Sequence, residues 1–184
     1  MLNDQTALLL LDFQLDFLDS KGRYPVAHDQ VEPMITTANR LIAAAQSAGA
    51  KIVYIGNEFS PRDLLNLTRN SCAIKGSAGT HLDPRLKVVS EYYFPKDKNS
   101  AFTNPDLNAF LQKQHVTQLW IVGVFATACV RATALDGQRL GYQVGVVSDA
   151  VAAANDQGRR SALDAMAHKG VSILTSAELV IHHD

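Results

Sequence analysis

Short, almost wholly apolar runs recur along this chain, and one stretch of helical periodicity separates most neighbouring pairs. The runs are Thr6–Leu11, Lys51–Ile55, Val88–Tyr93, Gln118–Val122, Gln143–Val147 and Val171–Leu174. Strands without a polar side belong in a sheet covered on both faces. Pro33–Ala48 carries Ile35, Ala38, Ile42 and Ala45 on one helical stripe and stops at Gly49. Asn104-Pro105-Asp106 has a cap residue, a proline at the first helical position and an early acid, with Leu107, Phe110 and Leu111 as the inner face. Helices are also predicted over Ala128–Leu140, stopped by Gly141, and over Asp156–His168, with Gly170 beyond. Thr175-Ser-Ala-Glu178 has capping-box spacing for a short last helix. The pattern predicts an α/β fold in three α-β-α layers, with a sheet of about six mostly parallel strands and Rossmann-like topology. At 184 residues, the chain 1–184 is expected to be a single domain.

Charge and cysteine usage narrow the function classes. Seventeen basic residues against eighteen acidic ones give a net charge of −1, which points to no nucleic-acid partner. No apolar run reaches membrane length, and Leu8–Leu11 meets Asp12 too soon to be a signal core. Two cysteines at unrelated spacing make no disulfide framework, so a cytoplasmic protein with free thiols is expected. The tail His182-His183-Asp184 is too short to read as a metal site. No cofactor is expected.

Open parallel sheets bind ligands beyond the carboxyl ends of their strands. Asp12 follows the first run, Asn57 and Glu58 the second, Lys96 the third, Cys129 the fourth and Asp149 the fifth. An acid, an amine and a thiol at successive strand tips have complementary chemistry. Cys129 is predicted in the first turn of a helix, where unpaired N–H groups and the helix dipole favour thiolate over thiol. The alternative for each residue alone is plain: a buried small side chain, a solvated acid, a surface lysine.

Three segments give the chain a resemblance to the isochorismatase-like cysteine hydrolases, which include nicotinamidases, N-carbamoylsarcosine amidase and isochorismatases. Leu9-Leu-Leu-Asp12-Phe-Gln14 resembles the family's first strand with its aspartate. Lys96-Asp-Lys-Asn-Ser100-Ala-Phe102 resembles its lysine, four residues before S-A-F. Gly123-Val-Phe-Ala-Thr-Ala-Cys129-Val resembles its nucleophile segment, and Val147-Ser-Asp149-Ala matches the usual end of strand five. The similarity runs from about Ala7 to Leu174, nearly the whole chain.

The resemblance implies a catalytic trio of Asp12, Lys96 and Cys129, with Lys96 preferred over Lys98 by its spacing. It implies an oxyanion hole from the Phe125 and Cys129 N–H groups, beside a cis Val124–Phe125 peptide. It further implies a small-molecule substrate and a homodimer or homotetramer. Nicotinamidases carry an aspartate and histidines after strand two that bind a metal. Here that stretch reads Ile55-Gly-Asn-Glu-Phe-Ser60, so no metal is expected. Phe13, Phe17, Asn57, Glu58, Phe59 and Phe125 are candidate pocket residues. The loop 59–86 is long and basic enough to suggest a lid over a substrate carboxylate. Cys72 has no partner motif, and Trp120 reads as core. The expected activity is metal-independent hydrolysis of an amide or related C–N bond through a thioester. Alternatives are isochorismatase-type vinyl-ether hydrolysis, a non-catalytic binding domain, or a thiol redox sensor.

Overall fold

The computed structural model describes residues 2–180. The tail 182–184 lies outside the described residues. Six parallel strands form one sheet: β1 (Thr6–Leu11), β2 (Lys51–Asn57), β3 (Tyr93–Lys96), β4 (Gln118–Val124), β5 (Gln143–Ala152) and β6 (Ser172–Leu174), in the order β3-β2-β1-β4-β5-β6. The helices are α1 (Leu15–Leu18), α2 (His28–Ser47), α3 (Pro105–Lys113), α4 (Arg131–Arg139), α5 (Asp156–Ala167) and α6 (Ser176–Val180).

The period of two along β1 divides the core. Leu8 and Leu10 pack with Met34, Ile35, Leu41 and Ile42 of α2 and with Leu179 of α6. Ala7, Leu9 and Leu11 pack on the other face with Leu107 and Leu111 of α3, Ala134 of α4 and Met166 of α5. Both faces of the central strands are thus covered, which is why they contain almost no polar residue. The order turns at β1, whose tip stands between those of β2 and β4.

Local signals account for several helix starts. Asn104 Oδ1 accepts from Asp106 N at 3.0 Å at the start of α3, and Pro105 occupies the first turn. Thr175 and Glu178 exchange the bonds of a capping box before α6.

Several boundaries move. α2 begins at His28, five residues before the expected Pro33, so the proline lies inside the helix and removes a single ladder bond near its start. β3 lies later than Val88–Tyr93: it pairs with β2 alone, at the sheet edge, and Val88 and Val89 are exposed. β4 continues through Gly123, and β5 runs on to Ala152 through a register irregularity opposite Ile121 and Gly123. Asp149 therefore lies within β5, and its carboxylate accepts from Ser176 N and Oγ at 2.7 and 2.6 Å. It anchors α6 and takes no part in the trio of Asp12, Lys96 and Cys129.

Candidate active site

The tips of β1, β3 and β4 converge on one buried cluster. Asp12 leaves β1 with a left-handed φ of 58°, and its N–H donates to Ile55 O at 2.8 Å, fixing it against β2. Lys96 is the last residue of β3. Its Nζ lies 3.0 Å from Asp12 Oδ2, donates to Asn57 Oδ1 at 2.7 Å and to Lys98 O at 3.2 Å, and reaches Cys129 Sγ at 3.3 Å. Asn57 Nδ2 faces the same sulfur at 3.9 Å. Relative exposures are 0% for Asp12, 4% for Lys96 and 5% for Cys129, so the acid, the amine and the thiol meet away from bulk water. Lys98 contributes only its backbone oxygen.

Gln14 sets the Asn57 end of this cluster. Its Oε1 accepts from Asn57 N at 2.8 Å, and its Nε2 donates to Asn57 O at 2.9 Å and Thr80 O at 2.8 Å. A fully buried side-chain amide with these partners ties the β2 tip to the loop after it.

Cys129 sits in the first helical turn, as expected, but that turn is π-helical and starts earlier, at Ala126. Phe125 ends an extended segment after the cis Val124–Phe125 peptide, and Ala126–Val130 form one wide π-helical turn before α4. Val130 N donates to Phe125 O at 3.2 Å, which is the first five-residue bond of that turn. The N–H of Cys129 precedes that bond, among those a turn of this width leaves without an internal partner.

Electrostatics correct the thiolate expectation. Burial pushes the Cys129 thiol up to about 12, and the nearby Asp12 carboxylate adds to the rise against the opposing pull of Lys96. Both effects favour the thiol over the thiolate. Burial also raises Asp12 above the ordinary carboxylate range despite the Lys96 ammonium beside it. Hydrogen bonds from Lys96, from the Cys129 thiol and from the Asn57 backbone act in the opposite direction without cancelling the burial. For Lys96, burial pulls down, but Asp12 and Cys129 outweigh it and hold the amine above its ordinary value. The cluster thus holds one lysine charge, one compensating negative charge and one proton shared between Asp12 and Cys129.

A cavity of about 240 Å³ opens onto the sulfur. Phe17, Asn57, Phe59 and Phe125 line it, as do Tyr24, Arg69, Cys72, Asn99, Thr127, Ala128 and Ala154. Phe125 takes edge contacts from Phe17 and Tyr24, with ring centroids 5.7 and 5.4 Å away. Two expected pocket residues fall elsewhere. Phe13 is wholly buried in the α2-side core. Glu58 lies outside the wall and accepts from the Tyr93 hydroxyl at 3.2 Å. Tyr24 and Asn99 had no sequence signal, because they reach the cavity from irregular segments distant in the chain.

The loop expected as a lid is anchored over much of its length. Asp16 Oδ2 accepts from Ala73 N at 2.7 Å, Phe59 N donates to Ala73 O at 2.9 Å, and Arg23 and Asn70 bond across to each other's segments. Cys72 is buried here and lines the cavity, and its thiol is raised to about 11 by burial and by Asp16.

Residues 6–178 match the family described as the Isochorismatase domain. The chain belongs to the isochorismatase family. It is a cysteine hydrolase of that family. A probable inactive nicotinamidase from Arabidopsis thaliana is 30% identical, covering 94% of this chain and 93% of its own length. The fold is that of an isochorismatase-like hydrolase from Alkaliphilus metalliredigens, with a TM-score of 0.90, 22% identity and coverage of 97% and 99%. A pyrazinamidase from Pyrococcus horikoshii, solved in complex with zinc, gives 0.83 at 25% identity, with 93% and 99% covered.

The donors here do not suit such a metal. The Asn57 amide is committed to Lys96 and Cys129, the neighbouring pocket residue is Phe59, and a guanidinium lies over that ring. Among the described residues no group of three or more His, Cys, Asp or Glu is placed to hold a metal ion. Nor is any described helix long and apolar enough to cross a membrane.

Proposed function

We propose that this isochorismatase-family hydrolase cleaves an amide or related C–N bond of a small molecule through a thioester on Cys129, without a metal. The observation that carries this reading is the meeting of Asp12, Lys96 and the Cys129 sulfur at 3.0 and 3.3 Å beneath one cavity. The thiol is neutral at rest, so attack needs a base. Asp12 accepts the S–H proton as sulfur bonds to the carbonyl carbon, and its raised pKa suits that task. The developing oxyanion is received by the N–H groups of Cys129 and Phe125, contacts typically worth several kcal/mol. The C–N bond then breaks, and Asp12 returns the proton to the departing nitrogen.

Water completes the cycle. It gives a proton to Asp12 as its oxygen attacks the thioester. The C–S bond breaks, and the sulfur recovers a proton from Asp12. Lys96 stays protonated throughout and balances whichever of its two neighbours carries the negative charge. The net change is one water consumed, and one acid and one amine or ammonia released.

A buried amine, acid and thiol have no purpose in a purely binding domain, and the cost of burying them favours catalysis. We leave nicotinamide outside the substrate set, because the stretch after β2 reads Asn57-Glu58-Phe59-Ser60 and carries no histidine for a metal. The relative from Arabidopsis is itself named a probable inactive nicotinamidase. We further propose one domain acting as a homodimer or homotetramer in the cytoplasm, where Cys72 and Cys129 remain reduced.

Ammonia release measured over a panel of small amides, with and without a chelator, tests the reading. Release that survives chelation is expected. Loss on chelation with recovery in zinc or manganese overturns the metal-free mechanism, and no release from any amide overturns the bond class.

A further inference from the structure

Among the residues lining the cavity above Cys129, Arg69 alone carries a full charge. Its guanidinium carbon sits over the Phe59 ring, 4.1 Å from the centroid, a cation–π contact that holds the charge at the wall. The side chain is 25% exposed, so it is drawn in from the loop without being sealed off. Asp63 takes a single contact from Nη1 at 3.1 Å and leaves most of the guanidinium's N–H donors for another acceptor. Asp63 is not part of the cavity wall, and among the described residues no other carboxylate lines it. The rest of the wall is aromatic or neutral: Phe17, Tyr24, Phe59, Phe125, Asn99 and Thr127.

We propose that Arg69 is the specificity-determining residue of this site and that the substrate is a small amide bearing a carboxylate. This rests on the amidohydrolase reading above and deepens it. The amide carbonyl takes the place beside Cys129, a short apolar or planar spacer lies between the aromatic walls, and the carboxylate meets the guanidinium. A forked donor matches two carboxylate oxygens at once, and a partly dry aromatic wall strengthens that pairing relative to water. The cavity of about 240 Å³ confines the substrate to a few heavy atoms beyond the amide. Monoamides of short dicarboxylic acids have this form.

The test is binding, so that it stands apart from turnover. Calorimetry on Cys129→Ala compares succinamate and glutaramate with their chain-matched neutral counterparts, butyramide and valeramide. The acidic member of each pair is expected to bind about 10-fold more tightly or better. That preference should disappear in Cys129→Ala/Arg69→Gln and persist in part in Cys129→Ala/Arg69→Lys, which also serves if the glutamine variant does not fold. Equal affinity within both pairs, or a preference that survives Arg69→Gln, overturns the assignment. Turnover is read separately on the wild-type chain. Hydrolysis of neutral amides without acidic preference removes the role of Arg69 and leaves the amidohydrolase intact. Tight acidic binding without hydrolysis does the reverse.

Discussion

The Lys96 ammonium lies 3.3 Å from the Cys129 sulfur, yet burial and the Asp12 carboxylate raise the thiol against the attraction of the lysine. The lysine is therefore a fixed counter-charge, and the aspartate is the group that moves the proton. This division of labour makes distinct predictions for each residue.

Replacing Lys96 by Met should strand Asp12 in the core with no compensating charge. Breaking a buried pair costs about 3–5 kcal/mol. The penalty should depend on pH. Without Lys96 the Asp12 pKa, already raised by burial, rises further. A group whose folded pKa exceeds its unfolded one supports the fold at pH below the unfolded value and loses that support as pH rises through the folded value. Chemical denaturation should therefore show Lys96→Met closer to the wild-type chain in acid than at pH 8. Equal loss at both pH values would contradict the pairing.

The acid limb of kcat/KM should report Asp12, because its carboxylate must be ionised to accept the thiol proton. Burial sets that limb above the ordinary aspartate value of about 3.9. Activity falls as pH drops through it. Neither Cys129, near 12, nor Lys96, above its ordinary value, titrates on the way up. The alkaline side should stay level to about pH 10. A profile that rises towards a thiol pKa near 8 would show thiolate supply to be limiting instead.

Gly123 lies within β4, next to its last residue, at a φ of 116°, and a Cβ there would strike the Leu11 carbonyl oxygen of β1. Gly76 has a φ of 82° with open space around it. Both substitutions to Ala carry the backbone penalty of about 1 kcal/mol, but only Gly123→Ala adds a backbone collision. Thermal melts should show a small loss for Gly76→Ala and a much larger one for Gly123→Ala, with activity lost too. Similar losses would mean that β1 and β4 can separate freely.

Much of this was legible in the residues because the sheet is buried on both faces. Runs such as Leu8–Leu11 have no polar alternation, and a strand-helix order leaves few topologies. Asp12, Lys96 and Cys129 could be picked out because they sit at or just past strand tips. What could not be read depended on contacts distant in sequence. Asp149 looked like a strand-tip residue, but β5 bulges and runs past it to Ala152, and its carboxylate is taken up by Ser176 of α6. Phe13 and Phe17 have the same composition signal and share one core cluster, and only packing brings Phe17 to the cavity wall as well. The protonation of Cys129 follows from desolvation by many elements together, whereas the local helix-start signal pointed to a thiolate. Arg69 was one of several loop cations until the fold laid it on Phe59.

The most direct test is the rate at which Cys129→Ala releases ammonia from an amide that the wild-type chain hydrolyses. Covalent catalysis by this sulfur predicts a fall of about 1000-fold or more with the fold retained. A rate close to that of the wild-type chain would contradict it.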